Sequence, residues 1–103
     1  MAVGQFVVVA RAEEIPPGTA RRVEIEGRAI AVYNVDGTFY ATQNECVHLR
    51  GPLAEGELDG CVVTCPWHGW QYDVRTGENE FDRAIVLETY EVAVEDGEVR
   101  LAR

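Results

Sequence analysis

The stretch that decides the reading of this chain is Cys46-Val47-His48-Leu49-Arg50-Gly51-Pro52-Leu53-Ala54-Glu55-Gly56, followed by Cys65-Pro66-Trp67-His68-Gly69-Trp70-Gln71-Tyr72-Asp73. It holds both histidines of the chain and two of its three cysteines, as Cys-x-His and Cys-x-x-His. Residues 49 to 64 lie between the two motifs. Gly51, Pro52, Gly56, Gly60, Pro66 and Gly69 punctuate the stretch, so it reads as loops with short strands between them.

Outward from the motifs, the chain alternates strand patterns with turn signals. On the N-terminal side, Gln5 to Ala10 reads as a first strand, and Pro16-Pro17-Gly18 as a loop with no helical continuation. Ala20 to Glu26 alternates apolar and polar, turns at Glu26-Gly27, and returns as Arg28 to Val35. Asp36-Gly37 is a strong type I′ hairpin signal leading into Thr38 to Thr42. On the C-terminal side, Ile85 to Val94 alternates at Val86, Glu88, Tyr90, Val92 and Val94, which predicts one continuous strand. Glu95-Asp96-Gly97 turns it into a closing strand, Glu98 to Ala102. With no sustained helical period anywhere, the pattern predicts an all-β sandwich or barrel.

Composition bounds the function. A chain of 103 residues, 47% hydrophobic, has room for one domain and one modest core. No apolar run approaches the roughly 20 residues needed to cross a bilayer, and the N-terminal residues lack the features of a signal peptide. A cytoplasmic location without a membrane anchor is expected. The formal charge of −9 is lopsided: residues 44–103 carry five arginines against thirteen acids. Such a surface excludes nucleic acid as a partner, because phosphates would be repelled. It favours protein partners with basic docking faces. Cys61 stands outside the motifs at the start of the run Cys61-Val62-Val63-Thr64, where a small buried apolar residue is expected.

Each motif offers one sulfur and one nitrogen. A zinc finger usually groups its cysteines in one half-site and its histidines in the other. Mixed pairs suit a [2Fe–2S] centre in which one iron takes two thiolates and the other two imidazoles. A structural zinc module is the alternative that the donor types allow, with Pro66, Gly69 and the surrounding string against it.

At these residues the chain resembles the Rieske family, and more narrowly the ferredoxin components of bacterial aromatic-ring dioxygenase systems. The resemblance runs over essentially the whole length, with its specificity concentrated in residues 43–73. It implies a single domain, 1–103, with a β-sandwich or barrel base (1–42 and 74–103) and an inserted cluster-binding subdomain of loops and short strands (43–73). It also implies one [2Fe–2S] cluster per chain, with Cys46 and Cys65 on the inner iron and His48 and His68 on the outer one. Gly51, Pro66 and Gly69 would let backbone approach the cluster. Trp67 would shield it, Trp70 would pack in the core, and Tyr72 matches a tyrosine whose hydroxyl bonds a ligand sulfur. The family often has glycine where this chain has Arg50.

Because all four protein ligands are used, the implied protein is an electron carrier and not a catalyst. It would pass electrons from a flavin-dependent reductase to a terminal Rieske oxygenase. The small subunit of an assimilatory nitrite reductase, similar in size and fold, is the second reading.

Overall fold

Three tight turns set the sheet registers. In the computed structural model, which describes residues 6–47, 50–67 and 69–102, Glu26-Gly27, Asp36-Gly37 and Asp96-Gly97 all have positive φ at both positions. That is what a type I′ hairpin requires, and its twist matches that of the flanking strands. The turns join β2 (Ala20–Ile25) to β3 (Arg28–Val35), β3 to β4 (Thr38–Gln43), and β9 (Val92–Glu95) to β10 (Glu98–Ala102). The remaining strands are β1 (Phe6–Arg11), β5 (Glu57–Asp59), β6 (Val62–Thr64), β7 (Gln71–Asp73) and β8 (Thr89–Tyr90). Helical structure among the described residues is confined to 3-10 turns at Ala12–Glu14 and Leu53–Glu55.

The strands form three antiparallel sheets, ordered β1-β10-β9, β2-β3-β4-β8 and β5-β6-β7. Strand β3 is the spine. Ile30 and Val32 enter one core, with Val23, Ile25, Val99 and Leu101, while Ala31 and Tyr33 enter a second. A strand buried on both faces reads as the near-continuous apolar run Ala29 to Tyr33. The first core seals the base between the two larger sheets. The second joins the four-stranded sheet to the small one and contains Cys46, Leu53, Val63, Cys65, Tyr72, Val74 and Leu87. The cluster motifs are thus rooted in a hydrophobic core. Fully burying a residue such as Leu53 contributes about 1.5–3 kcal/mol.

The segment from 85 to 94 departs from the expected single strand. Thr89–Tyr90 pairs with β4 and Val92–Glu95 with β10, so the chain changes sheets at Glu91. The alternation holds only in its middle: Tyr90 and Val92 pack against the first core, but Val86 and Val94 are exposed, whereas Leu87 is fully buried. A period of two is informative only while one strand keeps one sheet, and this one does not.

Cys61 differs as well. It forms a two-residue hairpin turn with Gly60 between β5 and β6 and is half-buried. Gly60 has φ +61, as the first central position of a type II′ turn requires. The sequence run Val62-Val63-Thr64 begins its strand one residue later than Cys61.

Buried asparagines tie the loops to this frame. Asn34 Nδ2 donates to the Ile15 carbonyl at 2.6 Å, and its Oδ1 accepts from Gly37 N–H at 2.7 Å. Asn44 accepts from Leu53 N–H through its carbonyl and from Ala54 N–H through its side chain, at 2.7 and 2.9 Å. The loop carrying the first motif is therefore held at its root.

Candidate metal centre

The two motif loops are closed in the same way. In the first, Cys46 N–H donates to the Gly51 carbonyl at 2.9 Å, and Arg50 N–H donates back to the Cys46 carbonyl at 2.8 Å. In the second, Cys65 N–H donates to the Trp70 carbonyl at 2.8 Å, and Gly69 N–H donates to the Cys65 carbonyl at 3.0 Å. Each cysteine thus opens a six-residue loop whose fifth residue has positive φ, +62° at Arg50 and +75° at Gly69. Glycine adopts that conformation without strain, and a residue with a Cβ at a cost of roughly 1–2 kcal/mol. The resemblance implies glycine at position 50, and this geometry would give such a glycine its reason.

Both cysteines are buried, each about 2% exposed, and neither is in a disulfide. Two buried thiols held by backbone bonds at the mouths of facing loops form half of a metal-binding set. Cys46 Sγ lies 3.2 Å from the Tyr72 hydroxyl, whose side chain is fully buried. A metal-bound cysteine is a thiolate and can only accept, which leaves the tyrosine to donate. Burial pushes the Tyr72 phenol above its ordinary pKa, and Cys46 adds to that. The Val47 amide and Asn79 pull it the other way.

His48 and His68 lie outside the described residues, so the geometry here concerns the sulfur half of the set and its surroundings. Gly51 is buried, and a Cβ on it would stand 2.5 Å from Cys65 Sγ and 3.2 Å from the Trp67 ring. The first loop therefore rests on the ligand side chain of the second. Gly69 has open space around its Cα, so its glycine serves backbone conformation and not clearance. Pro66 and Trp67 are exposed at the tip of the second loop, and Val47 at the tip of the first. Trp70, by contrast, packs against the second core. Cys61 lies in the Gly60-Cys61 turn at the opposite end of β6 from Cys65.

These surroundings fit a [2Fe–2S] cluster. The donor set has two thiols in an apolar core and a hydroxyl aimed at one sulfur, and the loops that carry it are crowded enough to exclude a Cβ at Gly51. Asn44, which ties the first loop to its root, and Asn79, which faces Tyr72 across an isolated bridge, carry no motif signature and were not singled out by the sequence. Polar residues between strands look like ordinary turn formers until their burial is known.

Comparison with known proteins agrees with this chemistry. Residues 5–91 match the family described as Rieske [2Fe-2S] domain. The chain is 45% identical to ferredoxin CarAc of Metapseudomonas resinovorans over 99 residues, covering 94% of this chain and 92% of that protein. The solved Sphingomonas yanoikuyae B1 ferredoxin superposes with a TM-score of 0.88 at 35% identity, over 96% of this chain and 99% of that one. A chain in the complex of reduced oxygenase and oxidized ferredoxin in carbazole 1,9a-dioxygenase superposes with a TM-score of 0.86 at 42% identity, covering 94% and 92%. With Cys46 and Cys65 buried in twin loops and most of its length matched, the chain belongs to the Rieske [2Fe–2S] domain family and carries one such cluster.

Proposed function

We propose that this ferredoxin accepts one electron from a flavin-dependent reductase and delivers it to the terminal oxygenase of an aromatic-ring dioxygenase system. The observation that carries the reading is the contrast at the loop tips. Cys46 and Cys65 are buried, while the adjoining Val47 and Trp67 are 50% and 58% exposed. A site one residue from solvent and flanked by exposed apolar groups suits brief docking and electron exchange. The relatives named as ferredoxins of dioxygenase systems support the same partner class.

Cys46 and Cys65 supply the thiolate ligands in this proposal, and His48 and His68 the imidazoles. The bound cluster supplies one-electron chemistry at a potential above that of four-cysteine ferredoxins, because neutral imidazoles replace two negative thiolates. The chain's own residues hold and insulate it. Tyr72 donates to Cys46 Sγ, Gly51 and Gly69 allow the loops to close, and Pro66 stiffens the second tip. Trp67 covers the second loop from outside.

The acidic excess in residues 44–103 fits partners whose docking faces are basic. No helix of the described residues is long and apolar enough to cross a membrane, in keeping with a carrier that works in the cytoplasm. The nitrite reductase reading gains no support comparable to the 45% identity with a named ferredoxin.

Purified protein is expected to hold two irons and two acid-labile sulfides per chain and to give a Rieske-type paramagnetic signal on reduction. It should support turnover when combined with a flavin reductase and a terminal ring-hydroxylating oxygenase. Stoichiometric zinc without labile sulfide would overturn the cofactor assignment. Transfer only to a siroheme nitrite reductase would overturn the partner assignment.

A further inference from the structure

Asn79 is 2% exposed, and its side chain is divided between two tasks. The Oδ1 atom accepts from Phe81 N–H at 2.8 Å and Asp82 N–H at 3.0 Å, which fixes the orientation of the amide. Its Nδ2 is therefore turned away from that loop, and it is buried without a hydrogen bond of its own. An unsatisfied buried donor costs roughly 1–3 kcal/mol, so a partner for it is to be expected close by.

The backbone identifies that partner. Asn79 faces Tyr72 across an antiparallel bridge. The bonds flanking the pair run from Glu80 N–H to the Gln71 carbonyl and from Asp73 N–H to the Glu78 carbonyl, at 2.8 and 2.9 Å. Residues 72 and 79 are thus a non-hydrogen-bonded pair, the geometry in which facing side chains stand closest and on the same face of the sheet. The Tyr72 hydroxyl lies 3.2 Å from Cys46 Sγ, so once its proton goes to the sulfur its oxygen is left to accept. The Asn79 amide nitrogen is a donor in need of an acceptor on this same face.

We propose that Asn79 is a positioning residue for electron transfer: Nδ2 donates to the Tyr72 hydroxyl oxygen and commits the single hydroxyl proton to Cys46 Sγ. With Asn79 Nδ2 donating to the oxygen, the hydroxyl proton stays on the side of the sulfur. Donation into the oxygen also polarises the O–H bond and strengthens its bond to sulfur. That bond favours the reduced state, which places more negative charge on sulfur. Asn79 therefore raises the potential through Tyr72 while making no contact with a ligand itself.

This inference rests on the Rieske electron-carrier reading, and its test separates the two. Holoproteins carrying Asn79→Ser, Tyr72→Phe and both substitutions are compared with wild type by potentiometric titration. Serine retains an oxygen for the Phe81 and Asp82 amides and adds no charge, but it lacks Nδ2. The expected result is a threefold shift of the reduction equilibrium toward the oxidised form in Asn79→Ser, roughly 28 mV at 59 mV per tenfold for one electron. In the Tyr72→Phe background the same substitution is expected to move the potential no further.

An equal shift in both backgrounds, or none in either, overturns the role of Asn79. Should Asn79→Ser lose its cluster, Asn79→Asp replaces it. The carboxylate keeps the loop acceptor, and its charge acts in both backgrounds, so the difference between them still reads the coupling. Failure of the underlying reading has a separate signature, which is wild-type protein without labile sulfide or a Rieske signal.

Discussion

Gly51 and Cys65 are pressed together so closely that the first carbon of any side chain at 51 would sit 2.5 Å from Cys65 Sγ. The Gly51 carbonyl meanwhile accepts the Cys46 amide. One glycine thus joins the two cysteines, to one through a hydrogen bond and to the other through clearance.

Gly51→Ala should accordingly damage the centre. The added methyl must push either Cys65 or the Trp67 ring aside, and strain of this kind costs about 1–3 kcal/mol. Iron and acid-labile sulfide per chain are expected to fall by more than half, with a lower thermal midpoint. Full occupancy at an unchanged midpoint would mean that the loops separate easily.

Tyr72→Phe should lower the reduction potential. A charge-assisted bond that gains about 1 kcal/mol on reduction corresponds to roughly 40 mV for one electron. The starting value is expected below zero, in the lower part of the roughly −150 to +300 mV range of Rieske centres. The resemblance to the Rieske family implies an extra pair of cysteines and a serine in its high-potential members, at positions that here hold Gly51, Trp67 and Trp70. Protein-film voltammetry of both proteins checks the sign and the size.

Electron transfer to a basic partner should slow as salt rises. At an ionic strength of about 0.15 M the Debye length is roughly 8 Å, so steering by the acidic surface fades beyond that point. Stopped-flow rates with the oxygenase, measured from low to high salt, are expected to fall steadily. A flat profile would leave the negative charge no part in docking.

Asp73 gives a pH-dependent test of the small sheet. The Arg75 guanidinium donates to its carboxylate at 2.8 and 3.1 Å and holds its pKa below the usual carboxylate range. The charge of a carboxyl whose pKa is lowered by folding stabilises the fold above its unfolded pKa. That contribution is lost as pH falls through the lowered, folded value. Asp73→Asn keeps an acceptor for Arg75 N–H but removes the charge and the second acceptor, which takes Arg75 Nη2. Its denaturation midpoint should therefore trail wild type at pH 6, and the gap should close toward pH 3. A gap independent of pH would assign the effect to packing.

The parts of this protein that could be read from sequence are those whose cause is local. Asp36-Gly37 announces its turn because Asp and Gly adopt two successive positive φ values more readily than most residues. Cys46 and Cys65 announce themselves by donor chemistry and spacing. What stayed hidden depends on partners far along the chain. The alternation from Val86 to Val94 concealed a change of sheet at Glu91, because period alone does not reveal which neighbour a strand will find. Asn79 resembles any polar loop residue until the bridge to Tyr72 buries it. Gly51 and Gly69 both read as loop glycines near the cluster, yet one is needed for room and the other for a backbone angle.

The matched closure of the two loops uses only main-chain groups: two amide–carbonyl pairs at Cys46 and two at Cys65. None of the four bonds draws on the side chain of Val47, Pro66 or Trp67, which stand at the tips facing solvent. Closing the loops is therefore the work of main-chain atoms alone. The outward side chains of Val47, Pro66 and Trp67 can vary without removing any of the four closing bonds.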